Sequence, residues 1–111
     1  VLMYVGTSAI GICYEVIKPE YRDLVKERVE RFHDVIEIRK EQLLNFCGNC
    51  LEIPDKDGNL LLAMSTAAFN AYTELQKEKI EKHFKKIVHS DISTIEKYGG
   101  GSARCMLAEL F

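Results

Sequence analysis

The chain has 111 residues, the length of one small domain, with a formal net charge of −2 and a sequence pI near 5.9. Hydrophobic residues make up 47% of it, which suffices for a core and excludes a disordered chain. No basic patch with interleaved aromatic residues points to nucleic acid, and no apolar run approaches the ~20 residues that span a bilayer.

The N-terminal stretch, Val1–Gly6, lacks the basic region and the cleavage site of a signal peptide. The four cysteines are therefore expected to be thiols, and the protein to be cytoplasmic. Because position 1 is not a methionine, we expect a processed or partial chain that begins inside a strand.

The first third predicts two paired strands and a helix. Residues 2–5 and 10–17 are rich in β-branched and aromatic residues, with glycines between them, as in a strand pair. Pro19 fits the first turn of a helix. Residues 19–32 are predicted to form an amphipathic helix, because five apolar residues recur there at helical spacing: Tyr21, Leu24, Val25, Val29 and Phe32.

A predicted strand at 35–38 and a short helix at 40–46, closed by Gly48, precede a C-x-x-C pattern at Cys47–Cys50. Zinc would need a second pair of ligands, and a redox motif should open a helix after a strand. This pattern lies between a helix and a strand. We interpret it as a turn that carries two thiols and expect no metal site.

The second half repeats this order. Strands beginning at Cys50 and at Leu60 flank the turn signal Asp57-Gly58 and predict a hairpin. Thr73 and Gln76 form a capping-box pattern that opens a helix at 74–84. The remaining predictions are a helical piece capped by Ser65, a strand at 87–88 and a helix at 91–98.

The two halves align when Phe32 is placed opposite Phe84, and after a short insertion Cys50 falls opposite Cys105. Each half is predicted as strand, strand, helix, strand and short helix. Cys50 and Cys105 occupy corresponding positions of this repeat, and each is expected to open a strand. Single repeat units cannot bury their faces alone, and about three or more are usually needed.

A glycine loop near the C-terminus marks the candidate site. Gly100 and Gly101 lead through Ser102 and Arg104 to Cys105. Free backbone N–H groups and a neighbouring cation favour the thiolate of a cysteine, whose ordinary pKa is about 8.5. The residues alone leave two interpretations of Cys105 open. One is a nucleophile; the other, which local chemistry favours because buried structural cysteines are common, is a buried cysteine that opens a core strand, with the glycines as a turn.

Short motifs in the chain resemble one group of enzymes. The Gly-Gly-Ser-x-x-Cys order of residues 100–105 is similar to the C-terminal end of amidinotransferases, and Ala-Arg-Cys-Met at 103–106 to that of arginine deiminases. Asn-Cys-Leu-Glu-Ile at 49–53 resembles the dimethylarginine dimethylaminohydrolases. The whole chain is similar to bacterial amidinotransferase-like proteins of this guanidino-group-modifying superfamily.

The resemblance implies an α/β fold made of two ββαβ modules of a pentein-type propeller, in which five modules circle a central site. Residues 1–111 would be the C-terminal portion of that domain, with module one at about 1–48 and module two at about 49–111, and strands swapped between modules are compatible with it. The resemblance implies that Cys105 is the covalent nucleophile, and Asn49 matches a family asparagine placed before a strand. Arg104 is interpreted as a thiolate or substrate-carboxylate partner or as a surface cation.

The resemblance also implies that essential partners lie outside the chain. In similar proteins the catalytic histidine occupies a His-Thr-Asn run directly before the strand that here starts at Val1, and the guanidinium-binding carboxylates lie on earlier modules. From the residues alone, His89 at a strand end is the candidate base, whereas His33 and His83 lie near helix ends.

The predicted function is therefore hydrolysis or transfer at an amidino carbon by a covalent cysteine, without a metal or organic cofactor. The expected partners are an arginine-like guanidino small molecule and the preceding modules of the same protein. The fragment alone is expected to be inactive, and a homo-oligomer is compatible with the sequence. The alternative is a non-catalytic binding module of the same fold, since a fold alone does not fix function.

Overall fold

A computed structural model describes residues 2–106 as a mixed α/β structure. The elements of the first part are β1 (Met3–Val5), β2 (Ala9–Ile12), a 3-10 turn (Tyr14–Val16), α1 (Pro19–Glu30), β3 (Asp34–Glu37) and α2 (Lys40–Leu43). Those of the second part are β4 (Leu51–Pro54), β5 (Leu60–Ser65), α3 (Thr66–Ala71), α4 (Glu74–Glu81), β6 (Lys86–Ser90), α5 (Ser93–Gly99) and α6 (Ala103–Met106).

Two three-stranded sheets share one topology. In the first sheet β1 pairs antiparallel with β2, and β2 pairs parallel with β3; the second sheet repeats this with β4, β5 and β6. Each parallel pair needs a long crossover, which α1 supplies in the first unit and α3 with α4 in the second. The predicted α/β class and the two ββαβ units are thus present in the described residues.

Local sequence signals explain the helix starts. The Ser65 hydroxyl accepts a hydrogen bond from the Ala68 N–H at 3.1 Å and caps α3. Thr73 and Gln76 exchange both bonds of the predicted capping box at the start of α4. Pro19 occupies the first turn of α1, as predicted.

The predicted strand at 10–17 is too long. β2 ends at Ile12, and the chain continues into the 3-10 turn. The guanidinium of Arg22 folds back from α1 and donates to the carbonyl oxygens of Tyr14 and Ile17, both at 2.9 Å. This capping of the turn carbonyls by a side chain five to eight residues further on, which no strand pattern reveals, competes with strand formation there.

The larger core cluster joins the two units. Tyr4 and Ala9 of the first unit pack in the same buried cluster as Leu62, Ile80 and Phe84 of the second. Apolar burial is the main stabilising force in folding, so this shared cluster holds the two sheets together.

The smaller core cluster lies under α1, and only part of the predicted apolar face of that helix is used. Val25 and Val29 pack on it, but Tyr21, Leu24 and Phe32 are exposed, Phe32 to 80%. The prediction that all five residues face a core is therefore wrong for three of them.

Polar contacts also tie the units together. Both carboxylate oxygens of Glu52 accept hydrogen bonds from Thr7, one from its N–H at 2.8 Å and one from its hydroxyl at 2.7 Å. The His83 ring hydrogen-bonds with Ser8 at 2.8 Å and with Asp34 at 2.9 Å. The β1–β2 hairpin and the start of β3 are thereby fixed against the second unit.

Two predicted boundaries change near the cysteines. Cys50 lies directly before β4, close to its predicted place, but Cys105 lies in α6 and does not open a strand. Residues 107–111, where the predicted strand would continue, lie outside the described residues. Gly48 was expected to close the short helix, yet the left-handed residue after α2 is Phe46, with φ of 66°. No helix in the described part of the chain is long and apolar enough to cross a membrane.

Candidate active site

The four thiols fall into two classes. Cys13, Cys47 and Cys50 are fully buried, whereas Cys105 is exposed, and all four are free. Burial raises the pKa of Cys47 and of Cys50 to about 12. Because the thiolate is the reacting species, these two buried thiols are unsuited to nucleophilic chemistry, and Cys105 is the accessible candidate.

The glycine loop turns the chain sharply after α5. Gly100 has a left-handed φ of 72°, and its N–H donates to the Glu96 carbonyl oxygen at 3.2 Å, which ends the helix. The buried Ser102 hydroxyl donates to the Glu96 carboxylate at 2.5 Å. The loop is therefore fixed to α5 by one residue, Glu96, through both its backbone and its side chain.

Gly101 lies against the thiol. A Cβ placed on Gly101 would stand 3.0 Å from the Cys105 Cβ and 3.2 Å from its Sγ, closer than carbon atoms normally pack. A side chain at this position would push Cys105 away. The requirement for glycine here comes from space, whereas at Gly100 it comes from the left-handed backbone.

Asn49 contacts α6 at three points. Its side-chain amide donates to the Cys105 Sγ at 3.1 Å, and its side-chain carbonyl oxygen accepts from the Cys105 N–H at 3.3 Å. Its backbone carbonyl oxygen accepts from the Arg104 N–H at 3.4 Å. The turn before β4 and the glycine loop are thereby brought together.

These hydrogen bonds lower the pKa of Cys105. The largest cause is the Asn49 amide, followed by the backbone N–H of Ser102, and the charge of Arg104 contributes less. Donors to the charged form of a titrating group stabilise that form. The geometry supports the predicted lowering of the Cys105 pKa, but the chief cause of the lowering is the Asn49 amide and not the neighbouring Arg104.

None of the histidines in the described residues is hydrogen-bonded to Cys105. His83 is bonded between Ser8 and Asp34. His89 hydrogen-bonds with the Thr66 hydroxyl at 2.9 Å and stacks on the Phe69 ring at a centroid distance of 4.2 Å. His89, the candidate base from the residues alone, is thus held by Thr66 and Phe69 of the second unit and is not hydrogen-bonded to the thiol.

An apolar hollow of about 310 Å³ lies beside the glycine loop. Ala103 of α6 forms one wall, and Ile53, Met64, Val88 and Ile92 contribute others. Among the described residues, no group of three or more His, Cys, Asp or Glu side chains is placed to hold a metal ion.

A family model described as N,N dimethylarginine dimethylhydrolase, eukaryotic, matches the chain over residues 1–111. The chain belongs to this family. Membership confirms the predicted guanidino-group-modifying superfamily at that level, while the bacterial and amidinotransferase assignments stay predictions. None of the curated proteins compared with the chain matches it.

The family motifs fall on residues that are neighbours in space. Asn49 and Cys105, taken from two separate motifs, are in direct contact, and Gly101 and Ser102 adjoin the thiol. Sequence reasoning missed Glu96, which holds the loop. Its only signal is an acidic residue one turn before the glycines, which also fits an ordinary exposed helix position.

Proposed function

We propose that the protein containing this chain hydrolyses a C–N bond of a guanidino compound with Cys105 as covalent nucleophile. The observation that carries the proposal is an exposed thiol whose pKa is lowered by the Asn49 amide and the Ser102 N–H, in a chain of this family. A lowered pKa raises the thiolate fraction near neutral pH, which a nucleophile needs.

In the proposed reaction the Cys105 thiolate attacks the guanidinium carbon and forms a C–S bond. The C–N bond to the leaving amine then breaks, and a general acid protonates that amine. Water, deprotonated by the same group, attacks the resulting thiouronium adduct, and the thiolate leaves from a ureido product. By the family resemblance, that general acid and base would be a histidine upstream of Val1.

We further propose that residues 1–111 are the C-terminal modules of a pentein-type propeller, divided at about residue 48. The shared topology of the two sheets supports this proposal. So do the apolar residues of α1 that the described residues leave exposed, since propeller modules bury such faces against neighbours. The remaining modules would supply the carboxylates that bind the guanidinium.

Two alternatives to hydrolysis differ in what happens at Cys105: in one the covalent adduct reacts with an amine, and in the other no adduct forms. An amidinotransferase would pass the amidino group from Cys105 to an amine instead of water. A non-catalytic module would form no adduct and would need neither the exposed thiol nor the Asn49 contact.

The test uses the intact protein and a panel of guanidino compounds, with the ureido product and the released amine both measured. We expect turnover that is lost in Cys105→Ser. Turnover with transfer to an added amine would favour the transferase. Absence of turnover with every guanidino compound, or full turnover in Cys105→Ser, would overturn the proposal.

Thiol labelling gives a second, independent measure. Chloroacetamidine, a cationic amidine, should modify Cys105 faster than neutral iodoacetamide does, relative to their rates with a simple thiol. Thr94→Cys is the matched control, because it adds a thiol at an exposed position of α5 that Asn49 does not contact. Equal selectivity at both thiols would argue against a guanidinium site.

A further inference from the structure

The C-x-x-C turn of Cys47–Cys50 has no metal or redox partner among the described residues, yet it is one of the most buried segments of the chain. Cys47 and Cys50 are fully buried, and Asn49 between them is 5% exposed. Because this turn carries the side chain that contacts the candidate nucleophile, its rigidity bears on the chemistry of Cys105.

Hydrogen bonds fix the turn from several sides. The Tyr72 hydroxyl and the Cys50 thiol both donate to the Cys47 carbonyl oxygen, at 2.5 Å and 3.2 Å. The Cys47 thiol donates to the Ala68 carbonyl oxygen at 3.5 Å. The Asn49 N–H donates to the Phe46 carbonyl oxygen at 2.9 Å. The Cys47 thiol thus anchors the turn to α3, and the Cys50 thiol closes the turn from within.

The Asn49 amide can satisfy Cys105 in one orientation only. Its oxygen faces the Cys105 N–H, a donor, and its nitrogen faces the Sγ. A flipped amide would set its N–H₂ group against a backbone N–H and its oxygen against a thiolate, and both contacts would be repulsive. The backbone N–H of Cys105 therefore selects the orientation that aims a donor at sulfur.

We propose that Asn49 is the positioning residue of the Cys105 thiolate, and that the Cys47–Cys50 turn, fixed by the Tyr72 hydroxyl, holds Asn49 in place for this role. The proposal rests on the proposed function for its effect on turnover. Its effect on the thiolate itself does not depend on what the substrate is.

The lowered pKa of Cys105 has the Asn49 amide as its first cause, so removal of that amide must shift the titration. Hydrogen bonds to charged groups are among the stronger ones in proteins, and at an exposed thiol their strength lies at the lower end of that range because water competes for the same sulfur. We expect Asn49→Ala to slow alkylation of Cys105 about tenfold near neutral pH and to raise the midpoint of its pH dependence by about one pH unit.

Asn49→Asp is the sharper variant. It is nearly isosteric and keeps an oxygen for the Cys105 N–H, so the loop contact is retained. It replaces the donor to sulfur by a carboxylate, and like charges disfavour a thiolate. The midpoint should therefore rise further than in Asn49→Ala. Asn70→Asp, an exposed asparagine of α3 with the same change of charge, is the control and should leave the midpoint unchanged.

Tyr72→Phe tests the turn itself without touching Cys105. It removes the hydroxyl that donates to the Cys47 carbonyl oxygen and loosens the turn that carries Asn49. We expect a rise of the Cys105 midpoint in the same direction as Asn49→Ala but smaller. Far-ultraviolet circular dichroism and urea unfolding of each variant check that the fold is retained.

The measurement is the rate of iodoacetamide labelling of the intact protein against pH, with each cysteine resolved by mass spectrometry. Unchanged midpoints in both Asn49 variants would overturn the positioning role, whether or not guanidino turnover exists. Shifted midpoints in a protein that turns over no guanidino compound would leave this role standing and overturn the proposed function alone. With turnover present, kcat should fall in Asn49→Ala while KM changes little.

Discussion

The three successive glycines before Cys105 should give three different results when each is replaced by alanine. Gly101→Ala is the informative change, because its new Cβ would stand 3.0 Å from the Cys105 Cβ and 3.2 Å from Sγ. Carbon atoms pack at about 3.5–4.0 Å, so Cys105 must move by roughly half an ångström. The hydrogen bond from Asn49 to Sγ, now 3.1 Å, would then be stretched or bent.

The magnitude results from two opposing effects on stability and one on reactivity. Overpacking costs about 1–3 kcal/mol, at the low end beside a short exposed helix, and the loss of a glycine from the unfolded chain returns about 0.4–1 kcal/mol. The net loss of folding free energy should therefore be small, at most about 0.6 kcal/mol. A weakened Asn49 hydrogen bond would stabilise the thiolate less, so labelling of Cys105 near neutral pH should slow, by up to about tenfold.

The neighbouring glycines are controls that separate strain from contact. Gly99→Ala would meet only the Ile95 Cγ2 at 3.9 Å and lies in α5, so stability should rise by up to about 1 kcal/mol with labelling unchanged. Gly100→Ala has nothing within 4 Å but requires a φ of 72°, which costs about 1–2 kcal/mol. Its labelling should fall less than that of Gly101→Ala.

The assay pairs urea unfolding with iodoacetamide labelling of Cys105 on the same samples. Labelling of Gly101→Ala at the wild-type rate would refute the role of the Gly101 contact, and so would labelling of Gly99→Ala that is as slow as that of Gly101→Ala. Slow labelling in Gly100→Ala alone would show that loop conformation, and not the Gly101 contact, controls the thiol.

Three further substitutions test the contacts that hold the site and the units, each by urea unfolding. Ser102→Ala should cost about 1–3 kcal/mol, because it leaves the buried Glu96 carboxylate without its hydroxyl donor, and added Glu96→Gln should recover part of that loss. Asp34→Asn should cost about 0.5–1 kcal/mol at neutral pH. The His83 hydrogen bond is the first cause that lowers the Asp34 pKa. The stabilisation from the Asp34 carboxylate is therefore full above the ordinary carboxyl pKa of 3.8 and is lost as the pH falls below that value. The difference in unfolding free energy between the wild type and Asp34→Asn should narrow at low pH. Thr73→Ala should cost about 1 kcal/mol through the lost cap of α4, and an unchanged midpoint would show that the capping box is not needed.

Much of the local structure could be predicted from the sequence because its causes are local. The Asp57-Gly58 turn joins β4 to β5, with Gly58 at φ of 83°, and the Thr73 box begins α4 as the pattern indicated. The repeat of strand, strand, helix and strand also arises from short-range periodicity. These features depend on residues within a few positions of one another, where turn chemistry and capping dominate.

The predictions failed where contacts between different elements decide the conformation. Arg22 caps the 3-10 turn that was predicted as strand. Three apolar residues of the helix predicted at 19–32 have helical spacing but no surface to pack on in the described residues. Periodicity shows that a face is apolar, and only tertiary packing decides whether anything covers it.

The site divides in the same way. The sequence by itself marked Cys105 in two ways: glycines, a cation and a thiol occur within a few residues, and this segment matches motifs of the family. It also marked Asn49, but only as a motif match. That the Asn49 amide, 56 residues away, donates to the Cys105 sulfur was decided by the tertiary structure alone. The physical reason is that a hydrogen bond requires two atoms within about 3 Å, and no local rule fixes the distance between the start of β4 and the end of the glycine loop.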